Sequence, residues 1–126
     1  MLFRSLAEAF PTRVGYYTKA GHPDLIAPLV AGKAFAGIGV DSRWDLASLL
    51  ARPERPSFVQ GNFDPAWLFL PPADLGRAID QFIDPIRSLS EEQRRGWICG
   101  LGHGVLPGTP ESAVRTFVAR IREAFA

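Results

Sequence analysis

The fold is decided by the run Phe35-Ala36-Gly37-Ile38-Gly39-Val40, which ends abruptly at Asp41-Ser42-Arg43. An almost wholly apolar run of this length is typical of a strand that is buried on both faces. Such strands belong to parallel sheets that are covered by helices. The sequence therefore predicts a buried strand over residues 35–40, with polar side chains at its carboxyl end.

Three further β-prone runs accompany this strand, over residues 14–18, 57–60 and 97–101. Each of them leads into a segment that contains glycine and polar residues, which is where a strand ordinarily ends. Four strands are therefore predicted, each followed by a polar loop.

Helices are predicted between these strands and after the last one. A short helix follows the first strand over residues 23–30, Asp45 can cap a second helix, and Asp64 can cap a third that begins at Pro65. Two longer helices have apolar residues at helical spacing. The predicted inner-face positions are Leu75, Ile79, Phe82, Ile83 and Ile86 in one of them, and Val114, Phe117, Val118, Ile121 and Phe125 in the other.

The alternation of strands and helices predicts a parallel sheet with right-handed crossovers, whose ligand sites lie at the carboxyl ends of the strands. A complete eight-unit barrel needs about 250 residues, whereas this chain has 126. We therefore interpret residues 1–126 as one α/β domain. It would be the C-terminal half of a (β/α)₈ TIM barrel, with about four parallel strands and flanking helices, and with the N-terminal half missing.

The composition excludes several classes of protein. With 47% hydrophobic and 21% charged residues, the chain is expected to fold, and a net charge of +1 gives no field that would hold a nucleic acid. Cys99 is the only cysteine, so the chain has no internal disulfide and no multi-thiolate metal site, and a reducing compartment fits it. Arg4 and Glu8 interrupt the first apolar segment, which we interpret as a packed helix and not as a signal or membrane anchor.

His103 is the first candidate for a ligand-binding or catalytic residue. It lies between Gly102 and Gly104, directly after the last predicted strand, where small neighbours let a ligand approach the imidazole and the backbone. A histidine near a strand end is more often structural, however, so its position alone leaves both roles open.

A second polar group, Gln60, Asn62 and Asp64, follows the third strand. These side chains can hydrogen-bond a polar ligand or order the neighbouring loops. Helix capping explains Asp64, and tolerance of a left-handed turn explains Asn62, so a structural role is favoured for this group.

The remaining strand ends carry charged groups. Asp41 and Arg43 can form an ion pair or face an anionic ligand, while Lys19 and His22 follow the first strand. A solvated charge for Lys19 and a turn-stabilising role for His22 are the ordinary explanations. Cys99 lies inside an apolar strand, and packing explains it.

Four segments in this order resemble one enzyme family along nearly the whole chain. They are Thr18-Lys19-Ala20-Gly21-His22, Gly39-Val40-Asp41-Ser42-Arg43, Val59-Gln60-Gly61-Asn62-Phe63-Asp64-Pro65 and Leu101-Gly102-His103-Gly104-Val105-Leu106-Pro107. Together they resemble the C-terminal half of uroporphyrinogen decarboxylase. One residue departs from the family pattern, since Gly100 stands where the family usually has asparagine.

The resemblance implies a cytoplasmic enzyme of heme biosynthesis, usually a homodimer. Without a cofactor, it would remove four acetate carboxylates from uroporphyrinogen to give coproporphyrinogen. His103 matches the histidine at the substrate cleft, and Gly102, Gly104, Gln60, Asn62 and Asp64 would support the site. The family's arginine-rich motif, its catalytic aspartate and its substrate-contacting tyrosine and serine belong to segments that this sequence does not include. No catalytic residue is therefore assigned, and the isolated chain is expected to be inactive.

Two other interpretations remain open. Cobalamin-linked methyltransferases share the barrel fold, but they need a zinc–thiolate cluster that a lone Cys99 cannot build. A non-catalytic half-barrel, whose exposed sheet edges pair with another chain, is the alternative from a different class of protein.

Overall fold

The computed structural model describes residues 2–11, 13–19, 21 and 35–126. The helix predicted over residues 23–30 and the candidate His22 lie outside the described residues. In chain order the elements are α1 (Leu2–Ala9), β1 (Gly15–Tyr17), β2 (Gly37–Gly39), α2 (Leu46–Leu50), β3 (Phe58–Phe63), a 3₁₀ helix (Pro65–Phe69), α3 (Pro72–Arg87), α4 (Glu91–Arg94), β4 (Trp97–Leu101) and α5 (Glu111–Ala124).

The strands form one parallel sheet, as predicted, and their order in it is β1-β2-β3-β4. The register aligns Tyr17 with Gly39, Gly39 with Gln60, and Gln60 with Ile98, so these four residues form one row across the sheet. Because paired residues of a parallel sheet share a face, their side chains point to the same side. Tyr17, Gln60 and Ile98 are all exposed, which identifies this side as the open face of the sheet.

The opposite face of the sheet carries the hydrophobic core. Ile38, Val40 and Val59 pack with the buried leucines of α2, while Phe63 packs with α3 and α5. Full burial of one such side chain contributes roughly 1.5–3 kcal/mol. The fold therefore rests on helices that cover one side of a four-stranded sheet, which is consistent with part of a TIM barrel.

Three details of the prediction were wrong. β3 does not end at Gln60, because Gly61, Asn62 and Phe63 continue the ladder opposite Cys99, Gly100 and Leu101. The strand over residues 35–40 is not buried on both faces, since Gly39 is half-buried beside the open face. Val118 was expected on the inner face of α5 but is 39% exposed, because Phe117 takes the buried position next to it.

Two predicted helix starts are confirmed. Asp45 caps α2 by accepting a hydrogen bond from the amide of Ser48 at 3.0 Å, and Asp64 caps the 3₁₀ helix by accepting one from the amide of Ala66 at 2.9 Å. The caps fix the direction in which the chain leaves the carboxyl ends of β2 and β3. No helix in the part of the chain that the structure describes has both the length and the apolar content to cross a membrane.

Candidate functional site

A cleft with a volume of about 560 Å³ lies over the open face of the sheet and extends to the carboxyl ends of the strands. All four strands contribute to its wall. Tyr17, Gly39, Gln60 and Leu101 come from the strands, and His103 comes from the loop after β4. The cleft is therefore built at the position where parallel α/β sheets bind ligands.

The imidazole of His103 is half-buried at this cleft. Its Nδ1 lies 2.9 Å from the carbonyl oxygen of Gly104, so the proton of the neutral ring is assigned to Nδ1, which donates to this carbonyl. Nε2 is then available as an acceptor, or as a donor when the ring is protonated. The arrangement suits binding of a carboxylate by the protonated ring.

Gly102 holds the backbone of the His103 loop through contacts with β1, with β3 and with the loop after β2. Its amide donates to the carbonyl of Phe63 on β3 at 2.8 Å, and its carbonyl accepts from the hydroxyl of Tyr17 on β1 at 2.8 Å. A Cβ added at Gly102 would lie 2.6 Å from the amide nitrogen of Ser42, which follows β2. Position 102 therefore has room only for glycine.

Tyr17 was not among the predicted site residues. Its ring lies against Gly39, where an added Cβ would be 2.8 Å from the Tyr17 Cδ2 atom. Burial and the negative charge of Asp41 raise the pKa of Tyr17, so its hydroxyl stays protonated and can donate. In the sequence Tyr17 is an ordinary strand former, and the only signal of a further role is its place one residue before the polar end of the first run.

Asp41 and Arg43 form the ion pair that was one of their two predicted roles. The guanidinium Nη2 of Arg43 lies 2.7 Å from Oδ2 of Asp41. The carboxylate is buried, whereas the guanidinium is largely exposed. The hydrogen bond from Arg43 to Asp41 also raises the pKa of Arg43, which keeps the guanidinium protonated.

Asn62 has a structural role, because its side chain holds the loop after β2. Its amide nitrogen donates to the carbonyls of Asp41 and Trp44, each at 2.8 Å. The explanation by a left-handed turn was wrong, because Asn62 lies within β3 and the residue with a positive φ, of +136°, is Gly61. A Cβ at Gly61 would lie 2.5 Å from the carbonyl oxygen of Val40, which only glycine avoids.

The structure thus separates the predicted site residues into two groups. Gln60, His103 and Gly104 line the large cleft. Asn62 and Asp64 line a smaller cavity of about 220 Å³ between the sheet and its helices. The indole N–H of Trp44 is buried there and has no hydrogen-bond partner among the described residues.

The remaining candidates lie apart from both cavities. Lys19 is exposed in the turn after β1. Cys99 lies in β4 and packs against the hydrophobic core on the helix side of the sheet. Burial raises the pKa of its thiol to about 12. Within residues 2–11, 13–19, 21 and 35–126, no three histidine, cysteine, aspartate or glutamate side chains are grouped so that they could hold a metal ion.

Comparison with known proteins supports the resemblance found in the sequence. The family model for uroporphyrinogen decarboxylase (URO-D) matches residues 2–124. The uroporphyrinogen decarboxylase of Synechococcus sp. (strain CC9605) is 35% identical over 126 residues, which cover 91% of the chain and 34% of that relative. The one from Protochlamydia amoebophila (strain UWE25) is 31% identical over 99 residues, covering 79% of the chain and 26% of the relative.

A third relative, the uroporphyrinogen decarboxylase of Xylella fastidiosa (strain Temecula1 / ATCC 700964), is 26% identical over 134 residues, which cover 96% of the chain and 38% of the relative. The chain therefore spans roughly a quarter to somewhat over a third of the length of these relatives. Because the family match covers nearly every residue, the chain belongs to the uroporphyrinogen decarboxylase family.

Proposed function

We propose that this chain supplies the C-terminal part of a uroporphyrinogen decarboxylase barrel, whose remaining strands come from a separate stretch of polypeptide. The complete enzyme would remove four acetate carboxylates from uroporphyrinogen to leave the methyl groups of coproporphyrinogen. The isolated chain would be inactive, because this sequence does not include the segments that carry the family's catalytic aspartate and its arginine-rich motif.

The observation that carries the proposal is the placement of the His103 loop. The motif Leu101-Gly102-His103-Gly104 begins at the end of β4, and contacts with β1, β3 and the loop after β2 hold it at a cleft that is open to solvent. An open cleft of this volume can admit a large, highly charged ligand such as a tetrapyrrole with several carboxylates. Gln60 offers a second polar contact on the wall of the same cleft.

The chemistry explains why no cofactor is needed. When the bond between an acetate methylene and its carboxyl carbon breaks, carbon dioxide leaves and the electron pair stays on the methylene carbon. A pyrrole ring that has first been protonated accepts this pair, and protonation of the methylene carbon followed by loss of the ring proton completes the methyl group. The protein has to place acids and bind carboxylates, and a protonated His103 would bind one of them.

Reconstitution tests the proposal. The chain would be co-expressed with the N-terminal two thirds of the Synechococcus relative, and both the assembly and the chain alone would be given uroporphyrinogen. The products would be oxidised to porphyrins and separated by carboxylate number. We expect coproporphyrin only from the assembly. Coproporphyrin from the chain alone, or none from a stable assembly, would overturn the proposal.

The family also suggests a homodimer in the cytoplasm for the completed protein. Sedimentation of the reconstituted assembly tests the dimer. A mass equal to one barrel at micromolar concentration would contradict it.

One observation favours a second candidate function. Within the described residues, β1 and β4 are the edge strands of the sheet, and an edge strand can pair with another chain. A non-catalytic protein that pairs these edges with a partner would form a stable oligomer without affinity for porphyrins. The methyltransferase alternative has no such support, because a single thiol with its pKa raised to about 12 is a poor metal ligand.

A further inference from the structure

We propose that Tyr17 is a positioning residue for His103, which it acts on through the carbonyl of Gly102. The inference rests on the proposed function, because it assumes that the imidazole contacts the substrate. It adds a residue from the first strand of the chain to a site that is otherwise defined by the loop after β4.

The argument begins with the number of restraints on Gly102. Its amide is held by Phe63, its α-carbon is packed against Ser42, and its carbonyl is held by the Tyr17 hydroxyl. The first two restraints come from backbone atoms, which side-chain changes at those positions leave in place. Tyr17 is the one restraint of the three that a side chain supplies.

The carbonyl of Gly102 belongs to the peptide unit that leads directly into His103. Rotation of this unit moves the α-carbon and the imidazole of His103 together. A hydrogen bond of 2.8 Å to a tyrosine whose ring is itself held against Gly39 limits that rotation. Among the residues that the structure describes, the His103 ring hydrogen-bonds to Gly104 within the same loop, and this bond does not fix the loop relative to the sheet.

The geometry also explains the glycine at position 39. Tyr17 starts at one edge of the sheet and its hydroxyl reaches a residue that follows the strand at the other edge. Its ring crosses β2 at Gly39, where a side chain would occupy the same space. A bulkier residue at position 39 would push the ring away and break the link to Gly102.

Hydrogen exchange tests the restraint without any ligand. The amide of Gly102 is protected by its bond to Phe63, and the amide of Val59, which bonds to Gly96 at 3.0 Å, reports on the other end of the same strand pair. In Tyr17→Phe we expect exchange at Gly102 to rise about tenfold, with Val59 changed less than about twofold. Replacing Tyr17 with 4-aminophenylalanine, which offers an N–H donor, should restore protection. Thr116→Val, which removes a hydroxyl that bonds only within α5, is the control.

Two results would overturn the inference at this stage. An unchanged exchange rate at Gly102 in Tyr17→Phe would show that the loop keeps its conformation without the hydrogen bond from Tyr17. A uniform rise at Gly102 and Val59 would show that Tyr17 only stabilises the sheet.

Binding of uroporphyrin to the reconstituted assembly then tests the link to His103. Tyr17→Phe should weaken binding about fivefold when His103 is present and less than about twofold in the His103→Ala background. Equal weakening in both backgrounds would mean that Tyr17 does not act through His103. If His103→Ala binds uroporphyrin normally, the proposed role of His103 in binding the substrate is wrong. The exchange result still decides whether Tyr17 restrains the loop.

Discussion

The side-chain amide of Asn62 donates to the main-chain carbonyl of Trp44 at 2.8 Å, across the gap between β3 and the loop after β2. The same nitrogen donates to the carbonyl of Asp41 at 2.8 Å. Asn62 is 5% exposed, so both bonds lie away from water. One side chain thus fixes the path of the loop that carries Asp41 and Ser42 to the rim of the sheet.

Asn62→Ala should lower the free energy of unfolding by about 2 kcal/mol, because it removes two buried hydrogen bonds. The carbonyl of Trp44 loses the donor recorded for it, whereas the carbonyl of Asp41 still accepts from the amide of Trp44 at 3.2 Å. Urea denaturation followed by tryptophan fluorescence measures the loss. Gln60→Ala, an exposed position on the same strand, should change stability by less than about 0.5 kcal/mol. Equal effects of the two substitutions would contradict the structural role of Asn62.

The parallel sheet was predictable because apolar runs, which end where polar residues begin as at Val40 and Asp41, alternate with helical segments along the chain. β4 was predicted with the bounds that it has in the structure. The end of β3 was not predictable, since Gly61 and Asn62 have turn-forming propensities that the ladder with β4 overrides.

The cleft was predictable in part. Polar residues near the ends of predicted strands, such as Gln60 and His103, were expected at one rim because the strand ends of a parallel sheet meet there. Both line the cleft, although Gln60 lies within β3. The role of Tyr17 depends on a hydrogen bond across 85 positions of sequence, and no local pattern encodes it. The position of Asn62 likewise depends on carbonyls that only the folded chain brings within its reach.

Gly61→Ala should destabilise the chain by at least about 2 kcal/mol, because position 61 has a φ that alanine rarely adopts and its methyl group would meet a backbone oxygen. Thermal unfolding measures the effect. Gly104→Ala is the matched control, since no atom lies within 4 Å of the added methyl group, and it should change stability by less than about 0.5 kcal/mol. A mild effect of Gly61→Ala, similar to that of the control, would argue against the close approach to Val40.

Cys99 should react slowly with thiol reagents in the folded chain. Burial raises its pKa to about 12, so at about pH 8 the thiolate fraction is small, and labelling should be more than about 100-fold slower than in guanidinium chloride. Absorbance during reaction with Ellman's reagent measures both rates. Labelling of the folded chain at the denatured rate would show that the thiol is accessible and ionised.

The same pKa predicts a dependence of stability on pH. Between pH 9.0 and about 12, the folded chain keeps the thiol proton that the unfolded chain has lost, so the free energy of unfolding falls as the pH rises through this range. Cys99→Ala should lose less stability than the unmodified chain between pH 8 and pH 10, and the Tyr17 phenol, present in both, cancels in the comparison. Parallel pH profiles of the two proteins would contradict the raised pKa.

His103→Ala should separate binding from folding. The imidazole is half-buried and its recorded hydrogen bond stays within its own loop, so its loss should change the free energy of unfolding by less than about 1 kcal/mol. Uroporphyrin binding to the reconstituted assembly should weaken about tenfold, because a charge-assisted contact to a carboxylate is lost. Porphyrin fluorescence measures the affinity. Arg122→Ala is the control, since it removes a cation from the last turn of α5, outside the residues that line the cleft, and it should bind as the unmodified assembly does. If both variants weaken binding equally, the loss reflects overall charge and not the imidazole at the end of β4.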